Sequence, residues 1–177
     1  MPGPHFSVHY EHPPPKDARL VKHRVLIDNR DRFDVANTSP FDFRVNAAQT
    51  GISRFENVVS VELKAVAFPK IANENYVVID SFELNDHIEA TNAAAHRAYN
   101  IAYFDSDTLA TGSVKTIKAK DMAFDVEKVF TPPLAQLDRF SFTFKKYGGA
   151  VVALADVANN ANVSLCLDVT TDLRRGV

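Results

Sequence analysis

Alternation with a period of two is the feature that most limits what this chain can fold into. In LDRFSFTFKKY, Leu137 to Tyr147, residues Phe140, Phe142 and Phe144 fall on one side and Ser141, Thr143 and Lys145 on the other. Successive side chains of a strand point to opposite faces, so the segment reads as a strand with one buried face. NVSLCLDVTT repeats the pattern with Val163, Leu165, Leu167 and Val169. In NVVSVELKAVAFP the same rule puts Val59, Val61, Leu63, Ala65 and Ala67 on one face, with Pro69 as the stop. Shorter candidates are VKHRVLID (from Val21), FDFRV (from Phe41), YVVIDSFEL (from Tyr76), AYNIAYF (from Ala98), SVKTIKA (from Ser113) and FDVEKVF (from Phe124). That makes about nine strand candidates separated by turn-forming residues. The separators are Ser39-Pro40, Thr111-Gly112, Pro132-Pro133, Gly148-Gly149 and Asn159-Asn160. Helix signals are thin: TNAAAHRA (from Thr91) and VVALADVANNAN (from Val151) each suit a turn or two.

The expected class is all-β: an antiparallel sandwich of two sheets spanning residues 21–177, preceded by an arm over residues 1–20. Pro2, Pro4, Pro13, Pro14 and Pro15 disfavour helix and ladder pairing in that arm. Phe6, Val8 and Tyr10 alternate along it and are candidate contacts to a neighbouring subunit. With 177 residues the chain is long enough for one domain with a real core. A jelly roll and an immunoglobulin-like sandwich both fit the strand count. The chain has no Trp and one Cys, where the immunoglobulin pattern wants a core Trp and usually paired Cys. Composition by itself leaves the two open.

Charge and cysteine content narrow the functional classes. A net charge of -2 lacks the basic footprint of a nucleic-acid coat, so no direct nucleic-acid contact is expected. The lone Cys166 allows no intrachain disulfide and suits a reducing compartment. No apolar run approaches the roughly 20 residues of a membrane span, and the start does not read as a signal peptide. The sequons at Asn37 and Asn162 are therefore expected to go unused, and cytosolic manufacture is favoured.

No catalytic constellation emerges, so an enzyme is not expected. There is no G-x-S-x-G elbow, and Cys166 sits mid-strand between Leu165 and Leu167, facing away from the core. His5, His9 and His12 share the arm, which offers no preset metal geometry. His23, His87 and His96 are isolated, so the ligand set of a cupin is missing. Gly148-Gly149 is a turn with no phosphate-loop motif behind it. No cofactor or metal is expected. The aromatics of RFSFTFKKY share one face and read as core rather than as a stacking platform. Paired carboxylates are not ruled out by sequence, because the fold brings such pairs together.

The densest charge cluster is VLIDNRDRFD, where Asp28, Arg30, Asp31, Arg32 and Asp34 follow an apolar run. It fails as a calcium loop, since it lacks the turn glycine and places arginines between the carboxylates. If Val25 and Ile27 point inward, Asn29 and Asp31 share that side at the rim, and Asp28, Arg30 and Arg32 point outward. The expectation is a latch pinning the strand exit to the loop before Pro40. In it Asp31 lies near the core edge and needs hydrogen-bond partners, and Asp31→Ala costs about 1–3 kcal/mol if those partners are buried.

Read in order, VLIDNRDRFD, SPFDFRV, FENVVSVELKAVAFPK, LDRFSFTFKKYGG and NVSLCLDVTT resemble the single jelly-roll capsid proteins, penton and minor capsid, of nucleocytoplasmic large DNA viruses such as chlorella-virus-like icosahedral viruses. The resemblance covers about residues 21 to 171 and is strongest from Val25 to Pro69. Asn29 stands where that family has serine, and Phe68-Pro69 where isoleucine-proline is common. The resemblance implies a single jelly roll of about eight strands and a virion structural role. It implies a penton forming homopentamers at the fivefold vertices, or a minor capsid protein beneath the capsomers. Implied partners are other copies of the chain, the major capsid protein and other minor capsid proteins, with assembly in the host cytoplasm. A glycan-binding sandwich is the competing class, with Tyr99, Tyr103 and Tyr147 as its loop aromatics.

Overall fold

The computed structural model describes residues 20–33, 36, 38–85, 88–104, 111, 113–119, 122, 127–157 and 162–173. The strands are β1 (Leu20–Asp28), β2 (Asp42–Asn46), β3 (Phe55–Pro69), β4 (Tyr76–Asp80), β5 (Asn100–Tyr103), β6 (Val114–Lys118), β7 (Glu127–Leu137), β8 (Arg139–Lys145) and β9 (Ser164–Asp172). Helical structure among the described residues is limited to short 3-10 turns such as Asn29–Asp31, Ala47–Thr50 and Leu154–Asp156.

All pairings are antiparallel, and they nest. β1 pairs with β9, β2 with β8, β3 with both β7 and β6, and β4 with β5. A chain doubled back on itself at β4–β5 gives this order. Two further pairings, β3 with β9 and β4 with β8, roll the doubled chain into two sheets. The first sheet runs β1-β9-β3, with β6 and β7 sharing the far edge of β3; the second runs β2-β8-β4-β5. This order is that of a jelly roll, and it decides between the two sandwiches that composition left open. It also reconciles about eight expected strands with nine, because β6 and β7 occupy one strand position in tandem.

The core is phenylalanine-rich. Phe43, Phe68, Phe140, Phe142 and Phe144 interlock between the sheets, with Phe68 and Phe144 centroids 4.7 Å apart. Each such side chain contributes roughly 1.5–3 kcal/mol when fully buried. The alternations of β8 and β9 hold: Phe140, Phe142, Phe144, Val163, Leu165, Leu167 and Val169 are all buried.

β3 departs from strict alternation. Its inward residues are Val58, Val61, Leu63, Val66 and Phe68, whereas Val59, Ala65 and Ala67 are only partly buried. Register shifts between Val58 and Ser60 and between Leu63 and Ala65 each insert one residue opposite β9. A bulge residue exchanges the two faces, so the second bulge turns Ala65 and Ala67 outward and brings Val66 and Phe68 in. Facing the first bulge, Phe130–Pro133 of β7 lie opposite the single residue Val59. Pro132-Pro133, expected as a turn between strands, thus falls inside β7, at an irregularity where a residue without an N–H is tolerated.

The segment between β4 and β5 folds back over the outer face of the second sheet. Ile88, Ala95 and Ala98 pack there against Val78 and Ile101 as a second apolar cluster. The alanines of TNAAAHRA therefore form turns over a sheet rather than a helix.

Candidate functional site

At the exit of β1 the chain enters the 3-10 turn Asn29–Asp31 rather than continuing as a strand, and this ends the alternation. Asp28 caps the turn: its Oδ1 accepts from the Arg30 backbone N–H at 2.9 Å and from Arg30 Nε at 2.8 Å. Arg30 Nη2 donates to Oδ2 at 2.6 Å. The Arg30 guanidinium holds the Asp28 carboxyl below its ordinary pKa.

Asn29 is 4% exposed and makes the long-range contacts. Its Nδ2 donates to the Pro40 carbonyl at 3.1 Å, and its Oδ1 accepts from the Val163 N–H at 3.3 Å. Arg32 Nη1 donates to the Ser39 carbonyl at 3.4 Å.

Asp31 is exposed, with its backbone carbonyl accepting from Gln49 Nε2. The structure therefore corrects the expectation that Asp31 shares the inward side of the strand with Asn29 at the core edge. The latch to the Pro40 loop is Asn29, and Asp31 lies on the solvent side because the turn rotates it off the strand face. The inward position of Asn29 was legible from spacing; its amide pairing was not. Asp34 and His87 lie outside the described residues, as do Phe6, Val8 and Tyr10 and the arm histidines.

The outer face of the first sheet carries an ion-pair rung. Asp168 on β9 is 2% exposed and receives Arg24 Nε at 2.9 Å and Nη2 at 3.1 Å, with Lys22 at 3.9 Å. Arg24 is the main cause of a lowered Asp168 pKa, against the opposing effect of burial. The next rung places Leu26 opposite Cys166, and Cys166 opposite Ala65. Leu26 is 69% exposed there. Cys166 points away from Leu165 and Leu167 and is partly exposed.

The second sheet presents a different surface. After β4 the turn at residues 81–85 is clamped from two sides. Glu83 accepts from the Ser141 N–H and from Ser141 Oγ, both at 2.9 Å, and Asn85 Nδ2 donates to Asp80 Oδ1 at 2.7 Å. Leu84 is buried, while Phe82 stands 85% exposed on this fixed turn.

Farther along that face, Tyr76 packs edge-on against Tyr103 and Tyr147, with centroids 5.6 and 6.4 Å away. Tyr103 and Tyr147 are exposed, but Tyr99 is not: it is fully buried, which corrects its assignment to a surface loop. Residue 99 directly precedes β5 and points into the sandwich. Burial raises its pKa well above the ordinary phenol value, opposed by the Leu63 backbone, which its hydroxyl meets without the geometry of a full hydrogen bond.

A cleft of about 1010 Å³ lies at the end of the sandwich where the chain enters β1, bordered by His23, Phe55, Asp172 and Leu173. His23 Nε2 is 3.1 Å from Thr171 Oγ1, and its ring tilts against Phe55. Among the described residues no group of three His, Cys, Asp or Glu side chains is placed to hold a metal ion. No described helix is long and apolar enough to cross a membrane.

No protein-family model matches the chain. Among curated proteins it is similar to the "Penton capsid protein P1" of Paramecium bursaria Chlorella virus 1, with 25% identity over 135 residues, 76% of this chain and 76% of that protein. The ordered strand motifs and this similarity point to the same kind of capsid protein.

Proposed function

We propose that the chain is a virion structural protein, the penton of a large icosahedral DNA virus, five copies of which close each fivefold vertex. The observation that carries this reading is its similarity to a protein named as a penton capsid protein, over 76% of both chains. That similarity supports a structural role in a viral capsid, and the pentamer at the vertex extends it.

The surfaces agree with it in physical terms. A closed ring of identical subunits needs two different patches on each subunit, one meeting the other. The two layers of the sandwich carry unlike exposed apolar groups, Leu26 on the first sheet and Phe82 on the second. An aromatic held on a rigid turn costs little ordering on association, which suits an anchor. The arm bearing Phe6, Val8 and Tyr10 precedes β1 and contacts a neighbouring subunit by strand addition or wrapping. The major capsid protein and other minor capsid proteins surround the vertex, and assembly takes place in the host cytoplasm.

Locating the chain in a reconstruction of the intact particle tests this reading. Density for five copies around each fivefold axis is the expected result. Density beneath the capsomers, away from those axes, replaces the penton with a minor capsid protein.

A further inference from the structure

On the outer face of the second sheet lies a cleft of about 600 Å³, within the usual size of a ligand site. Asp80, Lys145, Asn92, Arg97, Tyr147 and the glycine turn after it line the cleft. Asp80 is held by Lys145 and by Asn85, and the Asn92 amide is held by Tyr76, Tyr147 and the Ala94 N–H. Arg97 is exposed and has no ion pair among the described residues. Its backbone is left-handed, φ 65, a conformation that residues other than glycine seldom take. The Arg97 N–H donates to the Ile88 carbonyl at 3.2 Å, which fixes the turn that presents the side chain. Strain of this kind is commonest where a side chain must be presented for a purpose.

Tyr147 is equally preset. Asn92 Nδ2 lies 3.0 Å from both Tyr76 Oη and the Tyr147 carbonyl, so one amide ties the two tyrosines together. Tyr147 remains 63% exposed.

This chemistry selects among ligands. The lining is mainly polar, which does not suit a lipophilic molecule. One unpaired guanidinium on a chain of net charge -2 is too little for a phosphate backbone. An extended peptide adding to a sheet needs a free edge, and β4 beneath the cleft is paired on both sides, with β5 and β8. What remains is a compact, hydroxyl-rich molecule with one flat apolar face and an anionic group. We propose that this cleft binds a carboxylated saccharide, with Tyr147 stacking on the sugar ring and Arg97 holding its carboxylate. A guanidinium suits that last task because its planar fork matches a carboxylate with two bonds. The proposal is independent of the penton reading.

Saturation-transfer NMR and calorimetry on the full chain, with a glucuronate-containing disaccharide and its neutral glucose counterpart, test it. The acid is expected to bind about tenfold more tightly than the neutral sugar. Arg97→Asn, which tolerates the left-handed backbone, removes that preference, and Tyr147→Ala weakens both sugars while Tyr147→Phe does not. Unchanged melting temperatures confirm that these variants are folded. Absence of binding to both sugars overturns the proposal, as does binding indifferent to Arg97→Asn and Tyr147→Ala. Equal competition by an acidic peptide or by polyphosphate also overturns it and makes the cleft a general anion site.

Discussion

Asn29 and Val163 hold each other by two hydrogen bonds: the Asn29 N–H donates to the Val163 carbonyl at 2.9 Å, and the Val163 N–H donates to Asn29 Oδ1 at 3.3 Å. One residue ends the first strand and the other leads into the last, so this pair extends the β1–β9 ladder past its final rung. The same side chain reaches Pro40 and so ties the loop leading to β2.

Asn29→Ala should therefore leave buried backbone groups unpaired and lower stability by about 1–3 kcal/mol. Asp31→Ala, at an exposed side chain, should stay within about 0.5 kcal/mol. Denaturant titration of the two variants checks this; the reverse ranking would restore Asp31 as the latch.

The bulges of β3 make a second distinction. Val66 is fully buried and Ala65 partly exposed, although strict alternation assigns them the opposite way. Val66→Ala should cost about 2 kcal/mol, from lost transfer energy plus a cavity. Ala65→Ser should be nearly neutral. Equal losses at both positions would argue against the bulge between Leu63 and Ala65.

The buried Tyr99 hydroxyl meets the Leu63 backbone without the geometry of a full hydrogen bond. A weak contact offsets little of the cost of burying the hydroxyl, so Tyr99→Phe should change stability by less than about 1 kcal/mol. A larger fall in melting temperature would mean that the hydroxyl is fully paired.

Acid stability follows from three carboxylates. Arg30 beside Asp28, Lys146 beside Asp156 and Arg24 beside Asp168 each hold the pKa below its ordinary value. Because the folded pKa is depressed, these groups stabilise the fold above the unfolded value of about 3.9, and the contribution disappears as pH falls through the folded pKa. Melting temperature should be flat near neutrality and fall below about pH 4, less steeply in Asp168→Asn. An unaltered acid slope in that variant would remove Asp168 from the account.

Phe82 is the exposed aromatic on the clamped turn. Phe82→Asp should leave the melting temperature nearly unchanged and abolish self-association in native mass spectrometry. Pentamers that persist in this variant would place the subunit contact elsewhere.

Much of the architecture was legible because it is written in local alternation. β8 and β9 show their buried faces residue by residue in the sequence, and the segments of β1 and β2 follow from apolar runs ended by turn residues. β3 misled at its second half because a bulge leaves no local signal: Lys64 becomes an inserted residue only through its pairing with β9. The charge cluster misled at Asp31 for a related reason, since a 3-10 turn starting at Asn29 cancels the strand period. Tyr99 lies in the strand candidate AYNIAYF, but its burial depends on the opposite sheet, which no local pattern shows.

The sequence by itself determined the class, an antiparallel sandwich with a phenylalanine core, since period-two burial and the absence of sustained helical spacing leave little else for 177 residues to do. It also carried, in the order of its strand motifs, the resemblance to capsid proteins. Only the tertiary structure decided the nested pairing, the two face exchanges in β3, and the choice of Asn29 over Asp31. It also decided that Arg97 and Tyr147 line one cleft. Each of these depends on contacts between residues far apart along the chain, and the free energy of such a contact is set by the partner it meets, which no local pattern specifies.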